Sequence, residues 1–290
     1  MIRSMTGYGK AEGNVGTRKF TVELKSLNSK QLDLNVRMPS LYKEKEMKLR
    51  KWLADRVFRG KTDLSIYYEA DAAEKRMTIN KALISSFHED LKEVADQIGQ
   101  QDVDYLSMIM RIPDVLKPER EELNEDEWSQ IMKLIEQAFE MFNSYRVQEG
   151  AGLEEDFRGR IARIQELEGG LDDLIEQRIA RIKGRISGNL EEFIESEKLD
   201  KNRFEQELIY YLEKIDVSEE RQRLKSNTDY FLDILTKGNA QGKKLGFISQ
   251  EIGREINTLG SKANDAEIQR GVIQMKDELE KIKEQVLNVL

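Results

Sequence analysis

Glu251 and Glu255 stand four residues apart in the segment GKKLGFISQEIGREINTLGSK, residues 242–262, and so share one face of any helix it forms. Lys243, Lys244, Arg254 and Lys262 accompany them, and Asp265 and Glu267 follow. Carboxylate oxygens are hard donors of the kind that Mg²⁺ and Mn²⁺ prefer. Metal-assisted hydrolysis of a phosphodiester combines such donors with cations, because the metal activates water and offsets charge on the phosphate. Glu251, Glu255 and Asp265 are therefore candidate metal ligands, and Arg254 joins Glu251 and Glu255 as a candidate catalytic group. Spacing leaves a plainer alternative open: both glutamates can pair with Arg254 or Lys244 on the surface, and Glu267 can simply cap a helix.

Other chemistries are thinly represented. The 290 residues include no cysteine and one histidine, His88. That excludes thiolate zinc sites, cysteine nucleophiles and a two-histidine acid–base pair. His88, beside Glu89 and Asp90 in SSFHEDL, reads as a surface residue. GNAQGK at 238–243 has three residues between its glycines and is followed by Lys244 rather than Ser or Thr, so it is no phosphate loop of the Walker type. Gly7-Tyr8-Gly9 lacks the third glycine of a dinucleotide fingerprint.

A second basic cluster lies near the start. Lys25, Asn28, Lys30, Arg37, Arg59 and Lys61 stand on or beside predicted strands and turns, where lysine and arginine can contact phosphates and Asn28 a sugar or base. Tyr8, Phe20, Tyr67 and Tyr68 can stack on bases, although aromatics at strand spacing more often fill a core. The chain carries a net charge of −8, yet residues 1–62 carry +9 and residues 237–262 carry +3. Two basic islands in an acidic body can hold a phosphate backbone locally and repel it elsewhere, or can be ordinary solvated faces.

The elements that must position these residues fall into two regions. Phe20, Val22 and Leu24 alternate with polar neighbours, as do Leu32, Leu34 and Val36, which is the period of half-buried strands. MIRSMTGYGKAEG and TRKFTVELKSLN read as the two strands of a hairpin, with Gly13, Asn14 and Gly16 supplying the turn. A helix follows with Ser40 as N-cap and Leu41, Met47, Trp52, Leu53 and Val57 as its apolar face, and then the strand TDLSIYYEA. Asn80 caps a helix to about residue 98, and a segment punctuated by Pro113 and Pro118 ends the mixed region. Beyond it the pattern is helical: one helix from Glu127 to about Gly150, a long one over 154–197 that Gly169-Gly170 can kink, and shorter ones over 203–214 and 219–236 with Ser218 as cap. Ile268, Val272, Met275, Leu279, Ile282 and Val286 form a heptad seam, with Asn264 and Glu267 as a capping box. The seam's partner is either the 154–197 helix or a second subunit, so self-association is expected. The fold class is α+β: a mainly antiparallel N-terminal sheet with packed helices (residues 1–150), followed by a long-helix, coiled-coil-like all-α region (residues 151–290). No apolar run is long enough to span a membrane, and no apolar leader opens the chain. With the absence of cysteine, this fits the cytoplasm.

The blocks SMTGYGKAE, ELKSLNSKQLD, RGK at 59–61, RVQEGAGLEED at 146–156 and GKKLGFISQEIGREINTLGSKANDAEI, followed by MKDELEKIKEQVLNV, resemble the YicC/YloC family of bacterial proteins in order and along the whole chain. The resemblance implies a divalent-metal-dependent endoribonuclease, with Mn²⁺ or Mg²⁺, that assembles as a homohexamer and closes its helical region around RNA. Carried over by position, the family's polar residues fall on Lys25, Asn28, Lys30, Arg59, Lys61, Glu149, Lys243, Lys244, Glu251, Arg254, Glu255, Asn257, Ser261, Lys262 and Glu267. The chain departs from the commoner pattern at Asn227, Gly246, Gly253 and Leu290, where His, Asp, Asn and a terminal Glu are frequent. The leading expectation is a cytoplasmic, metal-dependent endoribonuclease acting on single-stranded or structured small RNA. In it Lys25, Asn28, Lys30, Arg37, Arg59, Lys61, Lys243, Lys244, Asn257 and Lys262 grip the RNA. The alternatives are a non-catalytic RNA-binding or chaperone assembly and a structural helical scaffold.

Overall fold

A computed structural model describes residues 2–69, 77–100, 102–118, 124–194, 206, 209–210, 212–238 and 241–290. The fold is α+β. Strands β1 (Gly7–Val15), β2 (Arg18–Leu27), β3 (Leu32–Arg37) and β4 (Gly60–Glu69) form one sheet in the order β1-β2-β4-β3. β1–β2 and β2–β4 pair antiparallel, while β3 and β4 pair parallel. The parallel pair follows from the helical crossover between them, because two parallel neighbours cannot be joined by a tight turn. The β1–β2 turn is Gly16-Thr17, with the positive φ of 61° at Gly16, and the expected turn residues Gly13 and Asn14 lie inside β1.

The crossover differs from expectation at its start. Ser40–Lys45 wind as a 3₁₀ turn before α1 (Glu46–Ala54), and Pro39 rather than Ser40 occupies the cap. Three residues per turn shift the phase of the apolar face. Tyr42 and Leu49 are buried beside Leu53 and Val57, whereas Met47 points to solvent at 75% exposure. A small hairpin of β5 (Met77–Ile79) and β6 (Leu116–Pro118) brackets α2 (Lys81–Ile98) and α3 (Tyr105–Ile109). Asn80 caps α2 through a bond from the Leu83 amide, and the exposed ring of His88 stands edge-on to Tyr105.

The helix α4 (Glu125–Gly169) is a single 45-residue rod. Asn124 caps it, and Glu125, Asp126 and Glu127 complement its N-terminal dipole. The two helices expected on either side of residue 150 are thus one, and the break falls at Gly169-Gly170. Ile131, Leu134, Ile135, Ala138 and Phe142 complete the core under the sheet, whereas Phe157, Ile161 and Ile164 enter the core of the C-terminal helices. The boundary expected at 150–151 therefore lies inside the rod that both cores share. Between them, residues 2–5 cross α4: Ser4 donates its amide to the Arg146 carbonyl (3.0 Å), and the Arg146 guanidinium returns a bond to the Ser4 carbonyl (2.8 Å).

The C-terminal core is built from α5 (Asp172–Ile194), α6 (Ser218–Lys237), α7 (Gly242–Ala263) and α8 (Ala266–Val286). Most of the helix expected over 203–214, and residues 195–197 of the long one, lie outside the described residues. Val217, not Ser218, takes the cap position of α6, and Asp216 accepts the Ser218 amide. Asn264 ends α7 in a left-handed conformation (φ 40°), and Asp265 rather than Asn264 caps α8. The seam is buried throughout, with Ile268, Val272 and Met275 at 0% exposure. It is filled within the chain, because α8 packs on α7 and α4 and touches α5 only slightly. An unpaired heptad stripe therefore no longer argues for self-association. No helix among the described residues is long and apolar enough to cross a membrane.

Candidate nucleic-acid interface

One face of the sheet lies on α4 and α1, and the other is open. Alternation along each strand sends Val22, Leu24, Leu64 and Ile66 inward and their neighbours outward. The strand register then lines up rows across the open face: Leu27–Lys61–Asp33, Tyr8–Lys25–Asp63–Asn35, Lys10–Glu23–Ser65–Arg37 and Glu12–Thr21–Tyr67. Tyr8 and Tyr67 are exposed there, at 41% and 45%. Phe20 and Tyr68 fall on the other parity. Phe20 is fully buried, and Tyr68 packs on it (5.2 Å between centroids) beneath the Arg18 guanidinium, so neither can stack on a base.

The open face is less basic than its composition. Glu12 lies 2.6 Å from Lys10 and 2.9 Å from Lys19, which hold its carboxyl down at about 2. Lys25 pairs with Glu23 (2.9 Å), raising the lysine and lowering the glutamate, and also leans over the Tyr8 ring. Lys30, Arg37 and Lys61 are exposed and have no ion-pair partner among the described residues. Arg59 instead supports the β2–β3 loop by donating to the Ser29 carbonyl (2.9 Å).

The structure joins this loop to the helix that bears Glu251 and Arg254 through residues 288–290. The Asn28 side-chain amide donates to Asn288 Oδ1 (3.2 Å), and the Gly242 amide donates to the Leu290 carbonyl (3.2 Å). Leu290 N donates to Arg3 O, and Met5 N to Asn288 O, so the strap 288–290 is tied to residues 3–5 as well. Asn28 and the start of α7, with Lys243 and Lys244, are thereby held beside one short strap, although 214 residues separate Asn28 from Gly242 in sequence. Lys244 lies over the Tyr230 ring on α6 at 5.1 Å, while Lys243 is exposed.

Down α7, Ile248, Ile252, Ile256 and Leu259 are buried, and Lys243, Phe247, Glu251, Arg254, Asn257 and Ser261 form the solvent stripe. Glu251, Arg254 and Asn257 make no side-chain hydrogen bond or ion pair among the described residues, so the surface pairs that spacing allowed are not formed. Glu255 differs from Glu251: four residues advance a helix by more than a full turn, and that offset carries Glu255 into the buried face at 5% exposure. Asp265 is not brought to them. It lies beyond the end of α7, which is itself roughly 12 Å of helical rise from Glu255, and its carboxylate accepts the Glu267 and Ile268 amides and faces Arg181 at 3.4 Å. Glu267 is exposed in the first turn of α8 and supplies only its amide to that cap.

No group of three or more His, Asp or Glu side chains that could enclose a metal occurs among the described residues. The donors present do fit an ion such as Mg²⁺, which keeps several waters and takes one or two carboxylates together with substrate phosphate oxygens. They do not form a closed protein cage. Two positions where the chain departs from the commoner family pattern lie along the same helix. Gly253 admits Leu279 of α8 close against α7, where a Cβ would stand 3.1 Å from its Cδ2, and Gly246 has only Val286 nearby.

Sequence reasoning missed a third cluster. Arg178, Arg181 and Arg185 of α5 meet Lys214 and Lys262 around a cleft of about 600 Å³. Their spacing of three and four residues on one helical stripe was the available signal. What remained invisible was that Lys214 and Lys262, from other segments, close the cleft.

An open, aromatic-bearing polar sheet face tied to a helix that carries both cations and carboxylates characterises this α+β protein of two cores on one rod. Comparison with known proteins is more specific. The family model described as "Endoribonuclease YicC-like, N-terminal region" matches residues 2–155, and "Endoribonuclease YicC-like, C-terminal" matches residues 171–290. The chain is 32% identical over 295 residues to "Probable endoribonuclease YicC" of Clostridioides difficile (strain 630), and 30% identical over 292 residues to the protein of the same name from Haemophilus influenzae (strain ATCC 51907 / DSM 11121 / KW20 / Rd). Both alignments cover 100% of each chain. The chain belongs to the YicC-like endoribonuclease family.

Proposed function

We propose that this chain is a cytoplasmic endoribonuclease that hydrolyses RNA phosphodiester bonds with the help of Mg²⁺ or Mn²⁺ and works as a homohexamer. The observation that carries the reading is the solvent stripe of α7, where the side chains of Glu251, Arg254 and Asn257 have no hydrogen-bond or ion-pair partner among the described residues. Family membership and the names of the two relatives support the reaction class. Glu251, on the exposed stripe, would hold the ion, which when bound supplies an acidified water and a counter-charge for phosphate, while Glu255 faces the buried side of the same helix. Arg254 sits one helical turn from Glu251 and offers a fork of donors to a phosphodiester in that position. Asn257, Lys243 and Lys244 extend the contact along the same helix, and Lys262 continues it at the helix end. On the sheet, Tyr8 and Tyr67 offer rings for stacking, and Lys25, Lys30, Arg37 and Lys61 offer charge to the backbone. Asn28 and Arg59 hold the loop that links the two surfaces.

The hexamer rests on the family resemblance, because the heptad seam is satisfied internally. Light scattering that gives a mass near the 33.7 kDa of one chain removes it. The test of the reaction is incubation of a labelled RNA with the purified chain and Mn²⁺, beside Glu251→Gln and Arg254→Gln. Internal cuts by the wild type that fall at least a hundredfold in each variant support the assignment. Undiminished cleavage by Glu251→Gln ends it. The incomplete carboxylate set favours one competing reading, an RNA-binding assembly without chemistry. That reading predicts salt-sensitive RNA binding unaffected by EDTA and intact RNA after long incubation with Mn²⁺.

A further inference from the structure

The cleft between α5, the residues before α6 and the α7–α8 corner lies outside the surfaces described above, apart from sharing Lys262. Arg178 forms its floor. This side chain is 95% buried, and its guanidinium donates to the carbonyls of Ile215 (3.3 Å) and Lys262 (2.9 Å), which locks three separate segments together. Arg181, Arg185 and Lys214 rise around it and are exposed to solvent. Lys262 enters from the end of α7 and is held 2.8 Å from Glu220. Asp265 is the one acidic residue of the lining among the described residues, and its carboxylate accepts two amides and faces Arg181.

Arg181 shares Asp265 and Lys262 is matched by Glu220, while Arg185 and Lys214 have no ion-pair partner among the described residues, so the cleft of about 600 Å³ keeps a positive balance that an anion would neutralise. A metabolite pocket of this size is ordinarily lined by apolar side chains with a few polar groups, which is the reverse of this lining. Planar guanidinium groups match the paired oxygens of a phosphate. We infer that this cleft binds the phosphodiester backbone of single-stranded RNA as a second anchor, removed from the bond that is cut. The inference rests on the reading of the chain as an RNA-cleaving protein and adds where the rest of the strand is held. Lys262 lies eleven residues after Glu251 on the same helix, roughly 16 Å of axial rise. One helix thus carries the carboxylate stripe at its middle and one wall of the anchor at its end.

The experiment is fluorescence anisotropy of a labelled 12-nucleotide single-stranded RNA, with the full chain in EDTA so that binding is read without cleavage. The variant Arg181→Gln/Arg185→Gln/Lys214→Gln changes only exposed side chains and leaves Arg178 and Lys262 in place. Each phosphate contact on a single strand contributes about 0.7 to the slope of log K against log salt. The variant is expected to lower that slope by about 2 and to weaken binding at 0.1 M salt roughly 10- to 100-fold. The charge-preserving Arg181→Lys/Arg185→Lys chain is expected to keep most of the slope, which a merely structural role would not predict. A slope unchanged in the triple variant, with affinity within about twofold of wild type, overturns the anchor even if the wild type cleaves RNA with Mn²⁺. A wild type that binds with the expected slope, loses it in the variant and never cleaves retains the anchor and refutes the nuclease. Inorganic tripolyphosphate that binds the wild type and not the variant, while the RNA slope stays the same, shows a site for free phosphates and overturns the RNA assignment.

Discussion

Gly150 and Gly152 sit two residues apart on α4 and make a matched experiment on the joint between the two cores. Replacing a helical glycine by alanine gains about 1 kcal/mol where nothing else changes, because the backbone loses less freedom on folding. An added Cβ at Gly152 meets nothing within 4 Å, so Gly152→Ala should be stabilising by up to about that amount. At Gly150 the same Cβ would overlap the Ile2 carbonyl oxygen and stand 2.9 Å from the Arg3 Cα, both backbone atoms of the crossing segment. The segment must then move away. It is held there by bonds between Ser4 and Arg146, Met5 and Asn288, and Leu290 and Arg3, each worth about 1 kcal/mol net. Overpacking against a fixed neighbour costs about 1–3 kcal/mol. Subtracting the propensity gain leaves Gly150→Ala destabilised by up to about 2 kcal/mol, so the two variants should differ by about 1–3 kcal/mol. Urea unfolding reads this difference as midpoints displaced in opposite directions from wild type. The same displacement should reach function, because residues 3–5 hold the strap that positions Asn28 and the start of α7. Gly150→Ala should therefore also weaken RNA binding, whereas Gly152→Ala should not. If Gly150→Ala stabilises as much as Gly152→Ala, the N-terminal segment does not cross α4 at this point, and the proposed joint between the sheet and the helices is wrong.

Three further outcomes are expected. Leu279→Ala should cost about 2–5 kcal/mol, as for a fully packed leucine, and the loss should be the same at every protein concentration because the seam is filled within one chain; a loss that shrinks on raising the concentration would place the seam between subunits. Tyr8→Ala and Tyr67→Ala should each weaken single-stranded RNA binding by about 1–3 kcal/mol in a titration of labelled RNA, whereas Lys10→Ala should do less, since its charge is already spent on Glu12; equal effects from all three would show that the rings do not stack. Glu12, Glu46 and Glu278 are held below the ordinary carboxylate value of 4.5, by Lys10 and Lys19, by Lys43 and Arg50, and by Lys281 and Arg160 respectively. Their stabilisation is present above that value and is lost as pH falls through the lowered folded-state values, so the melting temperature should drop progressively below about pH 4.5 and on toward pH 2, and Glu278→Gln should flatten part of the decline.

Much of the architecture was legible because it is written in short-range pattern. Alternation at Phe20, Val22 and Leu24 specified a half-buried strand, the 4-3-4-3-4 spacing from Ile268 to Val286 specified the apolar stripe of α8, and Asn80 marked a helix start, each within one or two turns of chain. Where expectation failed, a neighbour distant in sequence had intervened. The Gly150–Gly152 stretch looked like a break, but residues 2–5 occupy the space that Gly150 leaves and the rod continues. Met47 looked apolar and therefore inward, but a 3₁₀ turn ahead of it rotated the face.

The site divides in the same way. Residue types alone determined that any metal held by this chain, with one histidine and no cysteine, would be met mainly by oxygen donors, and the block from Gly242 to Lys262 marked a helix that carries carboxylates and cations. Only the tertiary structure decided which of those groups are available. The packing of α7 on α6 and α8 buries Glu255 and exposes Glu251, the cap of α8 takes Asp265, and the strap 288–290 brings Asn28 to the start of α7. Local sequence sets which face of a helix is polar, because that depends on an angle of 100° per residue. Which polar group is left unpartnered depends on what packs against the helix from elsewhere, and no single segment contains that information.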